Sequence, residues 1–131
     1  MQNPQRKGSP YHAEGGCPVK AVTRIIFVDD TGEKFFGEGP ARLLRGIEDK
    51  GSLRAAALSM EMAYTKALTI IQHAEKTLGF SLVIRTTGDK AGGGSKLTKE
   101  GKEWLERYEE YRDACVQANS KLYLDFFPQQ R

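Results

Sequence analysis

The chain has 131 residues, 39% of them apolar and 28% charged, with a formal net charge of +3. That length allows one domain, or a small domain with a long extension. No apolar run approaches the roughly 20 residues that span a bilayer, and no apolar stretch follows the basic residues of MQNPQRKGSPYHAEGG, as a secretory signal requires. Two distant cysteines, Cys17 and Cys115, suggest no disulfide framework, so a cytoplasmic chain with reduced thiols is expected.

Residues 1–18, rich in Pro, Gly, Gln and Ser without periodicity, read as a mobile arm. A β-hairpin is expected over 19–37: residues 19–28 are rich in β-branched types, Asp29-Asp30-Thr31-Gly32 carries turn chemistry, and residues 33–36 can return as a second strand. An isolated hairpin is barely stable in water, so Phe27, Phe35 and Phe36 should cover a neighbouring apolar surface.

Three helices are expected over 40–79. Pro40 is placed to open the first, which carries Leu43, Leu44 and Ile47 on one face and stops at Gly51. Ser52 reads as the N-cap of a short second helix over 53–59, whose Ala55, Ala56 and Ala57 permit close packing. The third runs over about 63–78 and ends at Gly79. Its buried stripe is Ala67, Leu68, Ile71, Ala74 and Leu78, and Thr65, Thr69, Gln72 and Lys76 recur on the opposite face.

The stretch IRTTGDKAGGGSKLT then supplies two β-prone pieces around a glycine-rich basic loop, over 82–98. It is not a nucleotide-phosphate loop: Gly88 is followed five residues later by Gly93, but Gly94-Ser95 comes next instead of Lys-Ser/Thr, and a strand follows instead of a helix. Helix, turn, helix and a two-stranded wing is the reading. A last helix, capped by Thr98, is expected over 98–127, with Pro128 ending regular structure and 128–131 as a tail. Along it Trp104, Tyr108, Tyr111, Cys115, Ala118 and Leu122 recur at four, three, four, three and four residues, with Leu105, Val116 and Phe126 widening the seam. At ~1.5 Å per residue a helix of ~28 residues is ~42 Å long. Trp104 and Tyr108 can pack on the chain's own core, whereas the seam from Tyr111 onward calls for a second copy. The interface so expected comprises Tyr108, Tyr111, Cys115, Ala118, Leu122 and Phe126. The fold class is therefore α+β, mainly α.

The segment GPARLLRGIEDKGSLRAAALSMEMAYTKALTIIQHAEKTLGFSLVIRTTGDKAGGGSKLTKEGKEWLERY resembles the N-terminal DNA-binding domain of ModE-type, molybdate-responsive regulators, relatives of the LysR-type winged helix. The resemblance is carried by Gly51-Ser52-Leu53 with Ala55-Ala56-Ala57, by Met62-Ala63-Tyr64, and by the glycine-rich wing from Thr87-Gly88 to Leu97-Thr98 with Gly101. It implies a dimeric winged helix whose long helices pair and which represses or activates genes of molybdate uptake and use. Full-length members continue into a molybdate-binding region of paired small barrels, which this sequence does not contain. Ala63 and Thr65 stand where the family often has Ser and Lys, so the operator need not be shared.

In such a fold the third helix enters the DNA major groove by its first turns, which here offer Tyr64, Thr65, Lys66 and Thr69, with Gln72 one turn on. Thr65 suits a thymine methyl or a phosphate, Lys66 guanine or phosphate oxygens, and Gln72 adenine. Ser52 and Arg54 open the preceding helix, where a phosphate is favoured. In the wing, Arg85, Thr86, Lys90 and Lys96 suit phosphate or minor-groove contact. Each has a plainer role: Tyr64 as a core aromatic under the wing, Ser52 as a cap, and Lys90 and Lys96 as solubilising charges. The partners expected are double-stranded DNA and a second copy, with neither membrane nor small molecule. His12 and His73 are the only histidines. Neither has an acid or thiol at a suggestive spacing, and with Cys17 and Cys115 they match no metal-ligand pattern. No catalytic residue, metal or cofactor is expected, and the chain is not read as an enzyme. The competing reading is a winged helix that binds protein and modulates another regulator without touching DNA.

Overall fold

The computed structural model describes residues 19–86 and 94–128. It is mainly helical, with two small antiparallel strand pairs, in the order β1 (Phe27–Val28), β2 (Lys34–Phe36), α1 (Glu38–Lys50), α2 (Leu53–Ser59), α3 (Tyr64–Leu78), β3 (Val83–Thr86), β4 (Gly94–Leu97) and α4 (Lys99–Phe126). The expected arm over 1–18, the wing tip over 87–93 and residues 129–131 of the tail lie outside the described residues. Among the described residues no helix is long and apolar enough to cross a membrane.

The first hairpin is shorter than the expected 19–37. Phe27 faces Phe36 and Val28 faces Lys34, with a register irregularity between Phe27 and Val28. Pairing stops there because the returning strand gives way to Gly37 and α1, so the chain before Phe27 has no strand beside it. The carbonyl of Ile25 instead accepts the hydroxyl of Tyr108, at 2.8 Å. The turn itself is held by Asp29. One of its carboxylate oxygens accepts the Thr31 hydroxyl at 2.6 Å and the backbone N–H groups of Thr31 and Glu33, each at 2.9 Å. These bonds, that of the Thr31 hydroxyl foremost, hold the carboxyl below the usual aspartate range.

α1 begins two residues before Pro40, and Gly37 N-caps it through a backbone bond from Ala41. Proline is tolerated in a first turn because its missing N–H has no intrahelical partner there. α1 and α3 end on Gly51 and Gly79, both left-handed, as the glycine stops predict. The core gathers Phe36, Leu43, Leu44 and Ile47 with Leu53, Ala56 and Ala57 of α2, Ala67, Ile71 and Ala74 of α3, Leu82, and Leu105 and Tyr108 of α4. Phe36 meets Trp104 and Tyr108 edge-on, with ring centroids 5.4 and 5.0 Å apart, so the hairpin aromatics do cover an apolar surface.

Thr98 ties the entry to β3 to the start of α4. Its hydroxyl donates to the Ser81 carbonyl and accepts the Gly101 N–H, while its own N–H donates to the Leu82 carbonyl. Gly101 is required by close approach, since a Cβ there would lie 2.3 Å from the Leu82 carbonyl oxygen. On the other side of this junction a Glu75 carboxylate oxygen accepts the N–H groups of Leu82 and Val83.

The chain divides into two compact units. One is Arg24–Tyr111, and the other is formed by the two ends, described over 19–23 and 112–128. The division follows from burial: the buried residues of α4 are Gly101, Leu105 and Tyr108, all within the first unit. In the second, Asn119 donates to the Thr23 hydroxyl and Tyr123 stacks on Phe127.

Candidate nucleic-acid interface

Those residues expected to meet DNA that are described lie at the start of α2 and on α3, β3 and β4, within the Arg24–Tyr111 unit. The Ser52 hydroxyl accepts the Ala55 N–H at 3.0 Å, so it acts as a helix cap. α2 has seven residues, too few for its dipole to make a strong anion seat.

Arg54, one residue into α2, reaches the first residue of α3. Its guanidinium carbon lies 4.4 Å from the centroid of the Tyr64 ring. From β3, Arg85 approaches the same ring, its guanidinium carbon 5.8 Å from the centroid, and donates through Nη2 to the Tyr64 hydroxyl at 2.6 Å. Tyr64 is half-buried and packs against the core with its ring, so the core and contact roles meet in one side chain. The strand pair is anchored beside this group by a backbone bond from Ser95 to the Gly51 carbonyl, at 2.8 Å. Ser95 is the register partner of Arg85, and Lys96, exposed, is that of Ile84.

On α3, Thr65, Lys66, Thr69 and Gln72 are all exposed, opposite the buried Ala67, Ile71 and Ala74. The Thr69 hydroxyl donates to the Thr65 carbonyl at 2.9 Å, so it meets a ligand only as an acceptor or through its methyl. Lys90 lies outside the described residues. Thr86 is described by its backbone, which faces Gly94 in the strand pair.

Among the described residues the ion pairs lie elsewhere. Arg45 joins Glu48 and Glu109, Lys102 reaches Glu48, and Arg112 pairs with Asp113. The Glu109 hydrogen bonds, strongest of the causes, raise the Arg45 guanidinium further above its already high range, so it links α1 to α4 as a permanent cation. Arg54, Lys66, Arg85 and Lys96 have no carboxylate partner among the described residues. No group of three or more His, Cys, Asp or Glu there could hold a metal ion.

The expected pairing face needs correction at one position. Tyr108 is 2% exposed and hydrogen-bonded to Ile25, so it has no surface left to meet a second copy. Tyr111 is exposed with its ring beside Phe27, and Cys115 is half-buried. Ala118, Leu122 and Phe126 are exposed, as are Val116 and Leu124. Sequence reasoning missed two features of the site. The Ser95–Gly51 tie uses backbone groups only and leaves no side-chain signal. The sharing of Tyr64 by two arginines joins positions 54, 64 and 85, whose separations follow no helix or strand period.

No family model matches the chain. Two relatives are distantly similar. The molybdenum-pterin-binding protein MopB of Rhodobacter capsulatus is 32% identical over 95 residues, which is 72% of this chain and 35% of that protein. The molybdenum transport protein ModE of Azotobacter vinelandii is 32% identical over 85 residues, or 62% of this chain and 32% of that protein. The chain spans about a third of the length of the curated relatives it matches.

Proposed function

We propose that the chain is a sequence-specific, double-stranded DNA-binding regulator of the ModE winged-helix type, acting as a homodimer on an inverted repeat and linked to molybdate metabolism. The observation that carries this reading is that Arg54, Lys66 and Arg85, without carboxylate partners among the described residues, stand on the exposed first turn of α3 or against its Tyr64. Uncompensated cations around a helix of groove-entering size are what a polyanion selects. In this reading α3 lies in the major groove, and the β3–β4 pair follows the flanking backbone.

Similarity to a molybdenum transport protein and a molybdenum-pterin-binding protein supports the molybdate link. Exposed Leu122 and Phe126 on α4 support self-association, the partner being a second copy of the same helix. Binding to random-sequence duplex DNA across a salt series tests the reading. Affinity should fall steeply with salt, by a little under one logarithmic unit per phosphate neutralised. A chain with no affinity at low salt is not a DNA-binding protein, and the protein-interaction reading then stands.

A further inference from the structure

We propose that Arg54, Tyr64 and Arg85 form a clamp for one phosphate of the DNA backbone, in which Tyr64 is a positioning residue that joins two guanidinium groups into one anion seat. This rests on the DNA-binding reading and assigns these three residues to register on the duplex instead of base recognition.

Three observations lead there. First, both guanidinium carbons lie within 5.8 Å of a single ring centroid, at 4.4 and 5.8 Å, and no carboxylate of the described residues pairs with either. The ring quadrupole attracts each cation but does nothing for their mutual repulsion, which a bound anion relieves. Second, the Tyr64 oxygen accepts from Arg85, which directs its own proton away from that bond. The group therefore offers two guanidinium forks and one O–H, all donors, and a phosphate oxygen only accepts. Third, both arginines are tethered. Reading guanine by its O6 and N7 atoms needs a guanidinium free to lie in the plane of the base. Arg85 has one nitrogen committed to Tyr64 and Arg54 is drawn onto the ring, which suits a phosphate approached from several directions.

The clamp spans α2, the first turn of α3 and β3, so one phosphate would fix three elements at once. Sequence reading would then fall to Thr65, Lys66 and Gln72 further along the exposed face of α3.

The experiment compares wild type with R85Q, R85K, R54Q and Y64F on two duplexes, one selected from a random pool and one of scrambled sequence, across a salt series. Circular dichroism serves as the check on folding. R85Q should lose about tenfold on both duplexes, keep the ratio between them, and lower the salt slope by about 0.9. R54Q should behave alike. R85K should keep the slope but not the affinity, since lysine holds charge without the fork. Y64F should lose a few-fold on both duplexes, and adding it to R85Q should cost less than it does alone, because the hydroxyl acts through Arg85. A merely structural Tyr64 would give additive losses. If R85Q collapses the ratio between the duplexes, or leaves the salt slope unmoved, the clamp is wrong while DNA binding stands. If wild type binds neither duplex at low salt, both readings fall together.

Discussion

In the first part of α4, Leu105 and Tyr108 are sealed in the core and Trp104 stands edge-on to Phe36; in the last part, Leu122 and Phe126 are 54% and 75% exposed. Both parts continue one pattern of apolar residues at alternating three and four spacing. The difference is in what the rest of the chain brings to each. The hairpin supplies Phe27 and Phe36 to the first part, and Tyr108 finds the Ile25 carbonyl. Heptad spacing establishes that a face will be covered, but the tertiary fold decides which turns the chain covers itself.

The sharpest way to break that comparison is at the point where the buried part of α4 begins. Gly101→Ala adds a Cβ 2.3 Å from the Leu82 carbonyl oxygen, a backbone atom that cannot swing aside. Alanine is ordinarily the better helix former, by about 1 kcal/mol. Here it should instead destabilise by ~3 kcal/mol in urea unfolding. A stabilised variant would show that the junction between β3 and α4 is looser than described.

The exposed part is tested by Leu122→Glu. If the proposed pairing holds, wild type should sediment as a dimer and the variant as a monomer. Urea unfolding of the Arg24–Tyr111 unit should move by no more than about 0.5 kcal/mol, as for a surface change. A variant still dimeric would exclude this face of α4 from self-association. At the entry to α4, Thr98→Ala removes a cap that also holds Ser81, and a loss of about 1 kcal/mol is expected, while Thr98→Ser should recover most of it.

The smallest effect is expected at the first hairpin. The Asp29 carboxyl is held below its unfolded value, so its contribution is fully present above the usual aspartate range, about pH 4, and is lost as pH falls through the lower folded value. Asp29→Asn should therefore lower stability slightly at neutral pH, and the deficit should shrink as pH falls through the lowered folded value, as followed by thermal unfolding at a series of pH values.

Much of the scaffold could be read in the residues. Ser52 as a cap, Gly51 and Gly79 as stops, and the buried stripe of α3 rest on forces acting within one or two turns, so local sequence is sufficient to specify them. The candidate site was legible as a set of positions on α2, α3 and the strand pair, not as an arrangement. Nothing in the spacing of Arg54, Tyr64 and Arg85 foretells that two arginines share one tyrosine.

The local order of helices, turns and strands was thus determined by the sequence alone, because capping, glycine conformation and apolar periodicity act between near neighbours. Only the tertiary structure decided that the first strand is confined to Phe27–Val28, that Leu105 belongs to the core, and that Arg54 and Arg85 converge on Tyr64. Each of these depends on groups far apart in the chain, brought together when the apolar faces of the hairpin and helices close on one another and leave each polar group to find whatever partner then lies within reach.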